Sequence, residues 1–287
     1  MRGKVAVGIR HVWCAPSLSG TRDRVQTGVD PCKTSTSRSR LSAMNLWIAV
    51  ALCGMVVLAV SCSSTFTPST LRVEPSEQRS KVIARFRSKK EPAVLFVGNS
   101  YSIPVPRVFR RQCRAHGQNV RVGQSTIGGW SLAQHAAHEP TLRKIREGGW
   151  DIVVLQELSR MPALPRRREQ EMLPPMKQLA DEARAAGAIP VIYQTWARRD
   201  GDLDSPIQFP DDDFHAMHRR LKDGIRLAAH ECGDLLVVPV GEAWARETRE
   251  GRGKLLYVED GSHPSSRGIA LTARVFVETF LGPGKSS

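Results

Sequence analysis

From Pro92 onward, apolar runs of three to six residues alternate with longer amphipathic segments, and this alternation constrains the fold more than any other property of the chain. The runs fall at 94–97, 120–122, 152–155, 189–193 and 235–240. Each is short, rich in Val, Ile and Leu, and bounded by turn residues, as expected of parallel strands covered on both faces. Between them the periodicity predicts helices near 105–116, 131–147, 168–187 and 211–231, with a last one at about 266–281. In the fourth, Phe214, Met217, Leu221, Ile225 and Ala228 step by three or four and line one face. Strand and helix in alternation specify a three-layer α/β/α domain with a five-stranded parallel sheet in flavodoxin-like order.

The net charge of +14 is a property of the N-terminal third. Residues 1–43 hold eight Lys/Arg against two Asp/Glu, 44–92 hold seven against three, and the remainder is only mildly basic. With neither zinc-finger spacing nor an RNP-type aromatic strand, the sequence gives no reason to expect a nucleic-acid partner. The cysteines, at 14, 32, 53, 62, 113 and 232, contain no C-x-x-C pair. Cys113 and Cys232 lie in the part expected to fold, as two thiols or as one disulfide.

Residues 1–43 have no hydrophobic periodicity and read as disordered or as an extension upstream of the true start. Residues 44–62 read as an export signal, because the apolar run from 46 to 60 is shorter than a comfortable membrane span. It ends in Leu58-Ala59-Val60-Ser61-Cys62, which resembles a bacterial lipobox whose cysteine is lipidated. Residues 63–91, rich in Ser, Thr and Pro and then basic, read as a tether, and 92–283 as the folded domain. The chain is therefore expected to be exported, either secreted or held at the cell envelope through a lipid or signal anchor.

Chemistry concentrates where strands end. The first run leads into Gly98-Asn99-Ser100, and a serine at a strand-to-helix turn either caps the next helix or faces the ligand side of the sheet. Near the C-terminus stands Asp260-Gly261-Ser262-His263-Pro264, just before the last helix. An Asp three residues before a His lets the carboxylate fix the imidazole tautomer, freeing the other nitrogen to take a serine proton. Pro264 suits the first turn of that helix.

Four blocks, Gly98-Asn99-Ser100, Gly128-Gly129, Gln156-Glu157 and Asp260-x-x-His263, each follow a strand or precede the last helix, and in this order they resemble the SGNH (GDSL-like) hydrolase superfamily. The resemblance covers about residues 92–283 and implies a serine esterase with Ser100 as nucleophile, His263 as general base and Asp260 as its orienting partner. It implies an oxyanion hole from the Ser100 N–H, the Gly129 N–H and a side-chain amide. The family's usual Gly-x-Asn-Asp is missing, so that amide falls to Gln156, which has the same donor on one more methylene. Asn99, Gly128 and Glu157 are expected to support these groups from behind. No metal or cofactor is implied.

The Gln-Glu block resembles the Gln-Gly-Glu type block of carbohydrate acetyl-esterase relatives in the superfamily, which implies O-acyl groups, such as acetyl, on carbohydrate. A lysophospholipase or thioesterase is the competing enzyme, and a catalytically silent envelope lipoprotein that binds a ligand is the competing non-enzyme. After the fourth strand, just past Trp196, the loop from Ala197 to Pro210 with Arg198, Arg199, Asp200, Asp202 and Asp204 is expected to overhang the site and offer polar contacts. His135-x-x-His138 lacks an acidic or cysteine partner at metal-site spacing and reads as surface or supporting histidines, and His215 and His218 read as structural or exposed.

Overall fold

Residues 75–282 are described by the computed structural model. Its sheet has the order β2-β1-β3-β4-β5, all parallel. The strands are β1 (Ala93–Gly98), β2 (Arg121–Thr126), β3 (Ile152–Leu155), β4 (Ile189–Tyr193) and β5 (Leu236–Val238). Crossovers are α2 (Val105–Ala115) between β1 and β2, then α3 (Leu132–Ala136) and α4 (Glu139–Glu147) before β3. A single turn, α5 (Pro165–Arg167), runs through a wider turn at Arg168–Met172 into α6 (Leu173–Ala185), which leads to β4. α7 (Phe214–Glu231) precedes β5, and α8 (Val240–Arg249) and α9 (Ser266–Leu281) close the chain.

The pleat sends alternate residues of each strand to opposite cores. Val94 and Phe96 of β1 face a core built with Phe109 of α2 and Phe276 and Phe280 of α9. Leu95 and Val97 face a second core with Leu132, Ile145 and Leu179 from α3, α4 and α6. Both faces of the central strands are thus covered, which is why their sequence reads as unbroken apolar runs. Cys113 and Cys232 are free thiols, one in each core.

Four local expectations are corrected. Residues 75–87, assigned by composition to the tether, form α1 (Pro75–Arg87), whose Val82 and Phe86 are fully buried. Among the described residues of the helix only these two hydrophobic ones are fully buried, and the basic residues around them mask the pattern. The remainder of that tether at 63–74, the export segment at 44–62 and residues 1–43 lie outside the described residues. The single helix expected at 131–147 is two, since Pro140 sits in the first turn of α4 and favours a fresh start there. The run 235–240 holds strand only at Leu236–Val238, because Pro239 ends it and Val240 already opens α8. Finally, α9 begins at Ser266 with Ser265 as its cap, and Pro264 lies before the cap, bridged to Tyr257.

Candidate active site

At the carboxyl end of β1 the chain turns at once. The Asn99 carbonyl accepts from the N–H groups of Ser102 (2.9 Å) and Ile103 (3.2 Å), leaving Ser100 at the apex. The N-cap of α2 is Pro104, so Ser100 is not a helix cap. Its hydroxyl faces the His263 ring, with Oγ 2.9 Å from Nε2 across 163 residues of sequence. On the other side of the ring, Nδ1 lies 2.6 Å from Asp260 Oδ2. A carboxylate only accepts, so Nδ1 carries the proton and Nε2 is left to accept from Ser100.

The Asp260–His263 turn is internally fixed. Asp260 Oδ1 accepts from the N–H groups of Ser262 (2.8 Å) and His263 (2.9 Å). Val258 N–H donates to the His263 carbonyl at 3.0 Å. Burial works against the Asp260 charge, but these N–H groups and the His263 ring outweigh it and hold the carboxyl below its usual range. Both side chains remain open to solvent, His263 at 45% and Asp260 at 48%, so backbone anchoring rather than enclosure keeps them aligned.

The glycine block is drawn against the serine turn. Ile127 N–H donates to the Gly98 carbonyl at 3.1 Å, and Asn99 Nδ2 donates to the Trp130 carbonyl at 3.0 Å. Between these anchors Gly129 takes φ of +75°, a left-handed conformation that glycine adopts without strain. Among the described residues, neither the Ser100 N–H nor the Gly129 N–H is taken by another group.

Among solved structures, a protein from Slackia heliotrinireducens designated an SGNH hydrolase is 30% identical, with 66% of this chain and 98% of that chain covered, at a TM-score of 0.53. The chain belongs to the SGNH hydrolases. A DUF4886 family protein from Bacteroides uniformis, 19% identical over 67% of this chain and 84% of that chain, shares the fold at a TM-score of 0.59. No family model and no curated protein matches the sequence. As a member of that superfamily, the chain is a hydrolase acting on ester bonds.

One expected donor of this SGNH hydrolase is turned away from the site. Gln156 is fully buried, and its Oε1 accepts from Asn99 N–H and from the Ser102 hydroxyl, each at 2.9 Å. Its Nε2 donates to the Glu157 carbonyl. Exchanging the amide's O and N would set donor against donor at Asn99, so the network fixes the orientation. The extra methylene that distinguishes Gln from Asn lets the amide fold back over β1 instead of reaching Ser100. Gly98 makes room for it, since a Cβ there would collide with Gln156 Oε1. Gln156 thus shapes the serine turn rather than facing an oxyanion.

Glu157, nearly fully buried, accepts from Leu158 N–H at 2.6 Å and from Leu132 N–H at 3.2 Å, tying the end of β3 to the start of α3. Burial pushes its carboxyl up to about 7, the two N–H groups pulling the other way. Gly128, beside Gly129, has open space around its Cα and makes no side-chain contact of its own.

Of the two expectations for His135 and His138, surface or supporting, the structure gives the supporting one. His135 is fully buried, with Nε2 2.9 Å from the Gly98 carbonyl and Nδ1 3.2 Å from Thr141 Oγ1. Thr141 also meets His138 Nδ1 at 3.0 Å and Ser125 Oγ at 2.8 Å. Nothing in the i, i+3 spacing distinguishes such an anchor from an exposed pair. His218 is buried and pairs with Glu242, whereas His215 is exposed. Among the described residues no cluster of three or more His, Cys, Asp or Glu is arranged to hold a metal ion.

The loop after β4 also behaves differently from expectation, because its charges are spent on one another. Arg160 reaches Asp202 (2.9 Å), Asp204 (2.8 Å) and the Ser205 hydroxyl (2.5 Å). Arg198 pairs with Asp204 at 2.7 Å and Arg199 with Asp200 at 3.0 Å. Arg199 N–H donates to the Gly261 carbonyl at 2.8 Å, so the loop braces the histidine turn. Sequence reasoning missed Arg160 because its partners lie about forty residues away, with no local pattern to join them.

Proposed function

We propose that this SGNH hydrolase cleaves its ester through an acyl-enzyme on Ser100, with His263 as general base and Asp260 as its orienting carboxylate. One observation carries the reading: Ser100 Oγ lies 2.9 Å from His263 Nε2, and His263 Nδ1 lies 2.6 Å from Asp260 Oδ2 on the other side of the ring.

In the first half-reaction Ser100 Oγ attacks the ester carbonyl while its proton passes to His263 Nε2. The tetrahedral oxyanion is met by the Ser100 and Gly129 N–H groups, both unclaimed within the described residues. His263 returns the proton to the departing alcohol, and the C–O bond breaks to leave the acyl group on Ser100. Water then repeats the sequence, with His263 again as base, releasing the acid. The Asp260 carboxylate, held below its usual range, stabilises the imidazolium formed in each half.

For substrate, the reading takes a short acyl group such as acetyl on a carbohydrate alcohol. Half-buried Trp130, whose carbonyl is held by Asn99, offers an indole beside the serine turn on which a sugar ring can pack. Export through residues 44–62 with lipidation at Cys62 places the activity at the cell envelope. Labelling by a fluorophosphonate probe that disappears in Ser100→Ala, with 4-nitrophenyl acetate and acetylated sugars turned over faster than long-chain esters, is the expected result. Folded wild-type chain that neither labels nor turns over would instead favour a ligand-binding lipoprotein. A preference for long chains would favour a lysophospholipase or thioesterase.

A further inference from the structure

The residue after the serine is buried and carries a phenol that the mechanism above does not use. Tyr101 Oη lies 2.5 Å from Ser262 Oγ, and Ser262 is the residue immediately before His263. The Tyr101 ring stacks on Trp196 at 4.7 Å with planes 3° apart, and Trp196 stacks in turn on Trp244 at 3.8 Å and 2°. Trp196 Nε1 donates to the Ser262 carbonyl at 3.0 Å. Ser262 is therefore gripped at its hydroxyl by one ring and at its carbonyl by the next. The Tyr101 ring also stands edge-on to the His263 ring at 5.3 Å.

Resting on the Ser100–His263 reading, we propose that Tyr101 is a positioning residue for His263: it couples the serine turn to the histidine turn through Ser262, so that the exposed imidazole stays at attacking distance. The physical need follows from exposure. With nearly half of each side chain in water, the Asp260–His263 pair is only partly enclosed, so a contact from beneath adds to the turn's own hydrogen bonds. A phenol bonded to Ser262 and stacked on Trp196 gives that support, and burial keeps it protonated and able to donate. A displacement of about 1 Å between nucleophile and base is enough to cost a large factor in rate.

The test is a double-mutant cycle on 4-nitrophenyl acetate with wild type, Tyr101→Phe, Ser262→Ala and the pair together. Each single change should lower kcat about tenfold with KM within about twofold, since one positioning hydrogen bond is lost while the stack and the substrate contacts remain. The double variant should be no slower than the slower single, because both changes cut the same bond. Ser262→Ala keeps every ring in place, so it decides the matter even if Tyr101→Phe folds poorly. Wild-type kcat in Ser262→Ala, losses that multiply in the double variant, or a raised KM at unchanged kcat would each overturn the inference. Fluorophosphonate labelling of the wild type separates the two levels: a chain that labels and turns over but ignores both substitutions refutes only the role of Tyr101, whereas one that does neither refutes the esterase reading and this role with it.

Discussion

The Nε2–H of His135 donates to the carbonyl of Gly98 at 2.9 Å, so a buried imidazole on α3 holds the residue two places before Ser100. Because a carbonyl can only accept, this ring carries its proton on Nε2, and burial pushes its pKa down and keeps it neutral. Nδ1 then accepts from the Thr141 hydroxyl, which accepts in turn from Ser125 and His138. Replacing His135 by Leu removes two of these bonds. Gly98 keeps its second partner, Ile127 N–H, so the expected loss is about 1–2 kcal/mol in urea unfolding. His135→Gln, which can still donate, should recover part of it, and a Leu variant as stable as wild type would contradict the assignment.

Gln156 separates a structural amide from a catalytic one. Gln156→Glu keeps the acceptor for Asn99 but sets a carboxylate oxygen against the Glu157 carbonyl, so stability should fall by about 1–3 kcal/mol. Among molecules that remain folded, kcat should drop by less than the roughly 10²–10³-fold typical of a lost oxyanion donor. Steady-state kinetics well below the variant's melting temperature check this, and a larger drop in kcat would return the amide to the oxyanion.

Glu157 gives the molecule a pH dependence with a definite sign. Its carboxyl titrates at about 7 in the fold against 4.5 for the free side chain, chiefly through burial. Between those values the native state binds more protons than the unfolded state, so this group's contribution to stability falls as pH rises and levels off above about 7. In Glu157→Gln that component is absent. The difference in melting temperature, variant minus wild type, should therefore increase from pH 5 to pH 8, and a difference independent of pH would show that the Glu157 carboxyl titrates in the fold as it does in the unfolded chain.

Asp260→Asn should leave the fold intact and lower kcat by roughly 10³–10⁴, since an amide can hold the imidazole in the wrong tautomer. Fluorophosphonate labelling should slow in parallel, while melting temperature stays within a few degrees. Labelling at the wild-type rate would remove Asp260 from the reaction.

Much of this was readable in the residues. Apolar runs bounded by turns located the central strands β1, β3 and β4, because burial on both faces leaves no polar alternation to confuse them, whereas the edge strand β2, polar and half-exposed over Arg121–Thr126, was caught only at its start. Ser100, Asp260 and His263 stood out because each occupies a turn at the end of an element, where sequence spacing is itself geometry. What escaped notice depends on partners far along the chain. The anchoring of His135 to Gly98, the clamp of Arg160 on Asp202 and the stack of Tyr101 on Trp196 have no local signature. Gln156 was assigned from its place in the third block and its amide chemistry, and its length, together with the room left by Gly98, sent the amide elsewhere.

The leading helix carries a practical consequence. Phe86 fills a pit floored by Phe109 and Phe280, with ring centroids at 6.3 and 5.7 Å, and Val82 is sealed beside it. An enzyme trimmed to Pro92 would open that pit to water and forgo about 3–6 kcal/mol of apolar burial. That is a large share of the roughly 5–15 kcal/mol that holds a typical domain folded. Shortened forms prepared for crystallisation or screening should therefore begin no later than Pro75, or they will report on a collapsing hydrolase instead of on its chemistry.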